Sequence, residues 1–280
     1  MDLLEAMGFD SVQIEEARKA SQPGAQVEDI LEVLLGSSVS SVAPPMPEGA
    51  SRAMECATPL SDDNRRPTIP TGLRGDVMSL PISQYDFGYL GRSACTAVSI
   101  AAIKQQLLEI DNVKDISAVL MDSIQEGVSA ATNLASNMTN IEHLAVDEVW
   151  PLVPSFFECG ITREAESVQA LVSATEECFM ELLDKALSLP APVVGIVLTK
   201  PPVTVSILVD RRGEKTKYRL FDSHARPEYG LSSAYLITGD DLRDCAFNLK
   251  LLFPRISDQV EDLAVELSYH SFEAHFFHKT

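Results

Sequence analysis

Basic residues are scarce in this chain. Lys and Arg number 22 against 41 Asp and Glu over 280 residues, a formal net charge of −19. Phosphate binding needs a basic face, so nucleic acid is excluded as the main partner. The acidic surplus fits a basic partner, and it also serves plain solubility. Cysteines are few: Cys56, Cys95, Cys159, Cys178 and Cys245, odd in number, unclustered and without a CxxC pair. That argues against a disulfide scaffold and against a structural zinc site. It places the chain in a reducing cytoplasm or nucleus, where a reactive thiolate survives. No apolar run reaches the roughly 18 residues of a membrane span, so no membrane partner is expected. The start is acidic (Asp2, Glu5) and has no basic stretch ahead of an apolar one, so no secretory signal is read there. Neither end carries a lipidation signature. A phosphate loop, a dinucleotide fingerprint and a Gly-x-Ser-x-Gly elbow are all missing. His270, His275 and His278 have no Cys, Asp or Glu at a familiar ligand spacing and read as part of a final strand. No metal or organic cofactor is expected.

What is present divides the chain in three. Hydrophobic residues make up 45%, enough for a packed core. Residues 1–36 read as a three-helix block, with Leu3, Leu4 and Met7 on one face, a Met7-Gly8-Phe9 turn, and a helix carrying Val27, Ile30, Leu31, Leu34 and Leu35. Residues 37–72 lack apolar periodicity and hold Ser37, Ser38, Ser40, Ser41, Pro44, Pro45, Pro47, Pro59, Pro67 and Pro70, the composition of a flexible linker. Residues 73–280 read as one folded domain. Helices are expected from about 93 to 108, over 113–130 and over 176–187. Strands are expected at 193–199, 203–209, 218–222, 235–238 and 249–253. Helices followed by an antiparallel sheet is an α+β order.

Two stretches carry chemistry. In Gln84-Tyr85-Asp86-Phe87-Gly88-Tyr89-Leu90-Gly91-Arg92-Ser93-Ala94-Cys95, two glycines mark a loop and Cys95 opens a helix rich in small residues. Unpaired N–H groups and the helix dipole favour an anion at that end, which lowers a thiol pKa and makes a better nucleophile. An arbitrary cysteine is more often a buried structural one. Here the second stretch argues otherwise: Tyr218-Arg219-Leu220-Phe221-Asp222-Ser223-His224 ends a strand. Side chains two apart on a strand share a face, so Asp222 can orient His224 toward Cys95 while Ser223 faces away. Gln84, eleven residues before Cys95, is placed to donate to an oxyanion, with the Cys95 backbone N–H as second donor. Read alone, Gln84 is also compatible with an ordinary loop amide.

The order Gln84, Gly88, Gly91, Cys95 and a small-residue helix, then Phe221-Asp222-Ser223-His224 and Ala234-Tyr235-Leu236-Ile237, resembles the viral-tegument-like deubiquitinases, the papain-like ubiquitin-specific proteases of herpesvirus tegument proteins and their cellular relatives. Arg92-Ser93-Ala94 stands where the family often has Gly-x-Gln, and little of 105–190 resembles it. The resemblance implies a papain-like cysteine protease domain, with helices packed on an antiparallel sheet and a small three-helix bundle before it. Its implied site is Cys95 as nucleophile, His224 as base, Asp222 as orienter and Gln84 as oxyanion donor. Gly88 and Gly91, with the loop 225–230, would border the channel for the Gly-Gly end of ubiquitin. The N-terminal block resembles a UBA domain, which implies ubiquitin binding through Met7, Gly8, Phe9, Leu34 and Leu35. The expected partners are then ubiquitin and polyubiquitin chains, whose Leu-Arg-Leu-Arg-Gly-Gly tail suits an acidic protein. A protease for another ubiquitin-like modifier, a catalytically inactive ubiquitin-binding adaptor and a transglutaminase-like or deamidating enzyme are the competing readings.

Overall fold

The strand Val193–Lys200 reads VVGIVLTK, nearly continuous in apolar residues, as a strand covered on both faces does. A computed structural model describes residues 72–91, 93–109, 115–135, 144–150, 159–254 and 270–279, together with Lys19. The chain divides into two units, Met1–Asn64 and Arg65–Thr280, and the description below concerns the second. Met7, Gly8, Phe9, Leu34 and Leu35 lie outside the described residues, as does most of the expected linker.

In chain order the elements are β1 (Asp76–Ser79), a 3-10 segment (Gln84–Gly91), α1 (Cys95–Glu109), α2 (Ile116–Ala135), the short α3 (Val146–Val149), β2 (Ile161–Arg163), β3 (Val168–Leu171), α4 (Glu177–Ser188), β4 (Val193–Lys200), β5 (Val203–Asp210), β6 (Lys217–Asp222), β7 (Tyr235–Gly239), α5 (Leu242–Leu252) and β8 (Ser271–Lys279). The strands form one sheet in the order β1-β7-β6-β5-β4-β8-β2, with β3 also paired to β8. Every pairing is antiparallel. The architecture is therefore α+β, as the sequence pattern predicts.

Alternation along the strands distributes the core to two sides. Val193, Val197, Leu208, Phe221, Leu236 and Phe277 pack with α1, α2 and α3. Val194, Ile196, Leu198, Val205, Ile207, Leu220 and Ile237 pack with α4 and α5. The sheet is thus the middle layer of three. Among the described residues, no helix is long and apolar enough to cross a membrane.

α1 is the innermost helix, with residues 95–104, 106 and 107 all buried. Two glycines let it approach its neighbours closely. A Cβ on Gly127 of α2 would lie 2.3 Å from the Val98 Cα, and one on Gly195 of β4 would lie 2.4 Å from the Ile103 Cγ2. Polar seams add direction. Thr96 and Thr204 share a hydrogen bond between their hydroxyls at 2.9 Å, and the Ser99 hydroxyl donates to the Thr204 carbonyl at 3.3 Å. Lys104 pairs with Glu126 across the α1–α2 contact.

Two expectations are corrected. Residues 249–253 are not a strand, because Leu249–Leu252 closes helix α5. The Asp241 carboxylate caps that helix by accepting from the Arg243 and Asp244 N–H groups, and Cys245, Ala246, Leu249 and Leu252 make one buried face. The order is not helices first: β1 precedes α1 and pairs with β7, which lies far away in sequence. The stretch around 160–171, without a motif in the sequence, supplies β2 and β3 at the β8 edge.

Candidate active site

Cys95 is the first residue of α1. Ala94 is its cap: the Ala94 carbonyl accepts from the Val98 N–H at 2.8 Å, while the Ala94 N–H donates to the Gly91 carbonyl at 3.2 Å. The Cys95 N–H therefore belongs to the first turn, where a helix offers no acceptor of its own. The thiol is almost fully buried, and its sulfur lies 3.7 Å from the Pro202 carbonyl at the β4–β5 turn.

Strand β6 brings the partners. The His224 Nδ1 lies 2.5 Å from the Asp222 Oδ1, and the same oxygen accepts from the His224 backbone N–H at 2.9 Å. The other carboxylate oxygen accepts from the Arg226 Nε at 2.9 Å and from the Tyr235 hydroxyl at 3.0 Å. Four hydrogen bonds hold a carboxylate that is wholly buried. With Nδ1 held by Asp222, the imidazole lies close enough to the Cys95 thiol for each to shift the titration of the other.

The electrostatics follow from this packing. Burial alone would push the Cys95 thiol up, but the hydrogen bond and charge of His224, with a contribution from Thr204, outweigh it and hold the thiol below its ordinary value. Burial alone would lower His224; the Asp222 charge and hydrogen bond, then Cys95, raise it to about 9. Burial alone would raise Asp222; the charge and hydrogen bond of His224, then Arg226, hold it well below the usual carboxylate range. Cys245 shows the contrast: buried without such a partner, it is pushed up to about 12. The site therefore favours a thiolate–imidazolium pair, the reactive form of a cysteine nucleophile.

Gln84 is fully buried. Its backbone N–H donates to the Ser223 carbonyl at 3.2 Å, and its side-chain Oε1 accepts from the Ser223 hydroxyl at 2.7 Å. Ser223 alternates away from the Asp222–His224 pair, as expected, but it does not point to solvent: it meets Gln84. Gly91 is buried, and a Cβ there would lie 1.8 Å from the Gln84 carbonyl oxygen, so the loop closes on Gln84 only with glycine at that position. Gly88 has a φ of +65° and open space around its Cα. The loop after His224 contains a 3-10 turn, Pro227–Tyr229, ended by Gly230 at a φ of +73°.

The structure thus gathers Cys95, His224 and Asp222 and ties Gln84 to the segment between the last two. The sequence reading missed four contributors. Tyr235 stands directly opposite Asp222 in the β6–β7 register, a signal available once that pairing is known. Arg226 reaches Asp222 from a loop, and no periodicity flags it. Tyr85, 46% exposed, sets its ring 5.8 Å from that of His224 at an interplanar angle of 59°. Thr204 joins the first turn of α1 to β5. Among the described residues no group of three or more His, Cys, Asp or Glu is placed to hold a metal. His278 instead pairs with Glu164 at 2.8 Å.

No known protein family matches the chain, and no curated protein does. Solved structures show likenesses at low identity. The ubiquitin-specific protease encoded by murine cytomegalovirus tegument protein M48, in complex with a ubiquitin-based suicide substrate, is 15% identical with a TM-score of 0.49, over 72% of this chain and 85% of that one. The Pseudomonas avirulence protein AvrPphB is 10% identical with a TM-score of 0.40, over 71% of this chain and 96% of that one. TM-scores below 0.5 at such identities decide neither family nor activity.

Proposed function

We propose that this chain is a papain-like cysteine protease that hydrolyses isopeptide bonds at the C-terminus of ubiquitin. One observation carries the catalytic part: a buried cysteine at the first position of an inner helix, beside a histidine whose Nδ1 lies 2.5 Å from a buried aspartate. That arrangement prepares a nucleophile, a proton donor and an orienting carboxylate in one place. The ubiquitin part is supported by the sequence: the Gln84…Cys95…Asp222-Ser223-His224 order and the UBA-like pattern of residues 1–36.

In this reading the Cys95 thiolate attacks the carbonyl carbon of the last ubiquitin glycine, and the carbonyl oxygen becomes an oxyanion. The Gln84 Nε2 and the Cys95 backbone N–H donate to it. Protonated His224 gives its proton to the departing lysine amine as the C–N bond breaks, leaving a thioester and a neutral imidazole. That imidazole takes a proton from water, the resulting hydroxide attacks the thioester, and the thiolate leaves with His224 protonated again. Asp222 stays ionised throughout and keeps Nδ1 as the donor to itself. Arg226 and the Tyr235 hydroxyl fix Asp222 from behind. No metal or organic cofactor takes part in these steps. Gly88 and the loop 225–230 would border the approach for a substrate end that has no side chains.

Turnover of a ubiquitin carrying a C-terminal fluorogenic amide tests the proposal. Wild type should release the dye, and Cys95→Ala should not while melting at a similar temperature. Release by Cys95→Ala would move the nucleophile elsewhere. No release by wild type, beside cleavage of another ubiquitin-like conjugate, would change the modifier but not the chemistry.

A further inference from the structure

The turn between β4 and β5 lies against the sulfur of Cys95. The Pro202 carbonyl, 3.7 Å away, accepts the thiol proton in a weak hydrogen bond. That contact suits the neutral thiol. Once the proton leaves, a carbonyl lone pair faces an anion, so a thiolate there needs donors to offset it. His224 is one. Thr204, 1% exposed, is the second residue of β5 and stands directly opposite Thr199 of β4. Its Oγ1 lies 2.9 Å from that of Thr96, the neighbour of Cys95 in α1, and 3.1 Å from that of Thr199. The Ser99 hydroxyl donates to the Thr204 carbonyl at 3.3 Å, which seats the first turn of α1 on the same residue.

Counting protons shows what this row of hydroxyls can do. Three hydroxyls carry three protons, and the two hydrogen bonds among them use only two. If Thr96 and Thr199 both donate to the Thr204 Oγ1, they fill its two lone pairs, and the proton left over is its own. No heavy atom moves; only hydroxyl hydrogens turn. The hydroxyl and the backbone N–H of Thr204 lie close enough to the Cys95 sulfur to hold the thiol pKa down. Thr96 and Thr204 are both buried, and a hydrogen bond to a charged acceptor is stronger in such a place than in water.

We propose that Thr204 donates its hydroxyl proton to the Cys95 thiolate, and that Thr96 and Thr199 prepare it to do so by donating to its oxygen. With the neutral thiol the row can run in either direction; with the thiolate it converges on Thr204. Thr204 remains a hydroxyl throughout and gives nothing to the leaving amine, so its part is separate from that of His224. The inference rests on the reading of Cys95 as a thiolate nucleophile.

The pH dependence of Cys95 alkylation by iodoacetamide, followed by mass spectrometry of the Cys95 peptide from the full chain, tests this without ubiquitin. Wild type, Thr204→Val, Thr204→Ser and Thr199→Val are compared, each with a thermal melt. His224, which also acts on the sulfur, is the same in all four. Valine matches threonine in shape and keeps the backbone N–H but has no hydroxyl. Losing a hydrogen bond to a charged group should raise the midpoint by about one pH unit. Thr204→Ser keeps the hydroxyl and should restore the wild-type midpoint. Thr199→Val leaves Thr204 with one partner fewer and should raise the midpoint by less. If Thr204→Val melts too early to titrate, Thr204→Ala, read in the cold, carries the same expectation. An unchanged midpoint in Thr204→Val, even beside a lower melting temperature, makes Thr204 a structural anchor and overturns the inference. A raised midpoint that Thr204→Ser does not restore also overturns it, since the hydroxyl is then not the cause. A wild-type midpoint at the ordinary thiol value of about 8.5 overturns the thiolate reading beneath it. A low wild-type midpoint that Thr204→Val raises, in a protein that releases no dye from the ubiquitin amide, supports the donor and overturns the ubiquitin reading alone.

Discussion

At the scale of the residue, the chemistry turns on charge held in a buried place. In the proposed mechanism the Cys95 thiolate and the His224 imidazolium stabilise each other. Activity needs the thiolate, so it should rise with pH on the acid side below the ordinary thiol value. It needs the imidazolium to protonate the leaving amine, so it should fall again near pH 9, where His224 loses its proton. The Asp222 charge is what raises His224. Asp222→Ala should therefore move the alkaline limb of kcat/KM to lower pH as well as reduce kcat, whereas His224→Ala should remove nearly all turnover. An unmoved alkaline limb in Asp222→Ala would show that the carboxylate does not set the base. A stability effect follows with its own sign. His224 is raised, so the stabilisation from its ion pair is complete below about pH 6.5, the ordinary histidine value, and is lost as pH climbs toward 9. In the Cys95→Ala background, where the thiol neither titrates nor helps to raise His224, the melting-temperature advantage over Cys95→Ala/His224→Gln should shrink as pH climbs above about 6.5. A constant gap would contradict the ion pair.

The residues also mark how far the sequence could be read. Cys95, Asp222 and His224 were legible because two local rules place them: a helix start favours a thiolate, and residues two apart at a strand end share a side. Gln84 was legible as a position but not as a geometry, since its anchor is Ser223, 139 residues away in sequence. Arg226 and Tyr235 were not legible, because their contact with Asp222 depends on a loop path and on the register between β6 and β7.

At the scale of the element, the decisive object is α1. In the proposed mechanism its first residue must meet the end of β6, so its height above the sheet would set the rate. Gly127 and Gly195 set that height from its two flanks. Gly127→Ala would bring a Cβ against the backbone of Val98, which cannot yield as a side-chain tip can. It should lower the melting temperature and reduce activity together. At Gly195 the obstacle is the Ile103 side chain, so Gly195→Ala combined with Ile103→Val should recover part of what Gly195→Ala alone loses. Equal melting temperatures for the single and double variants would show that α1 is not held at that contact. The helices α1, α2 and α4 were visible in the sequence as amphipathic or small-residue runs. The end of α5 reads as a strand because the short apolar run Leu249-Lys250-Leu251-Leu252-Phe253 fits a buried strand and a helix end alike, and its cap, Asp241, stands eight residues upstream. Strands β1, β2 and β3 are too short to show a period, and their partners lie far along the chain.

At the scale of the whole molecule, the proposal assigns separate tasks to separate units. The domain that follows residue 72 would do the chemistry, and the UBA-like block 1–36 would raise the local concentration of ubiquitin chains through the 37–72 segment. Deleting residues 1–40 should leave cleavage of a single ubiquitin–dye amide nearly unchanged and weaken cleavage of long chains. An equal loss on both substrates would make the N-terminal block part of the active domain instead. The central claim is tested most directly by reacting the full chain with ubiquitin that carries an electrophile at its C-terminus and mapping the adduct by mass spectrometry. One ubiquitin should attach through a thioether at Cys95, and the adduct should be absent in Cys95→Ala. It should form far more slowly in His224→Ala, where the thiol loses the group that lowers its pKa. No adduct with wild type, or an adduct on Cys159, Cys178 or another cysteine, would contradict the account.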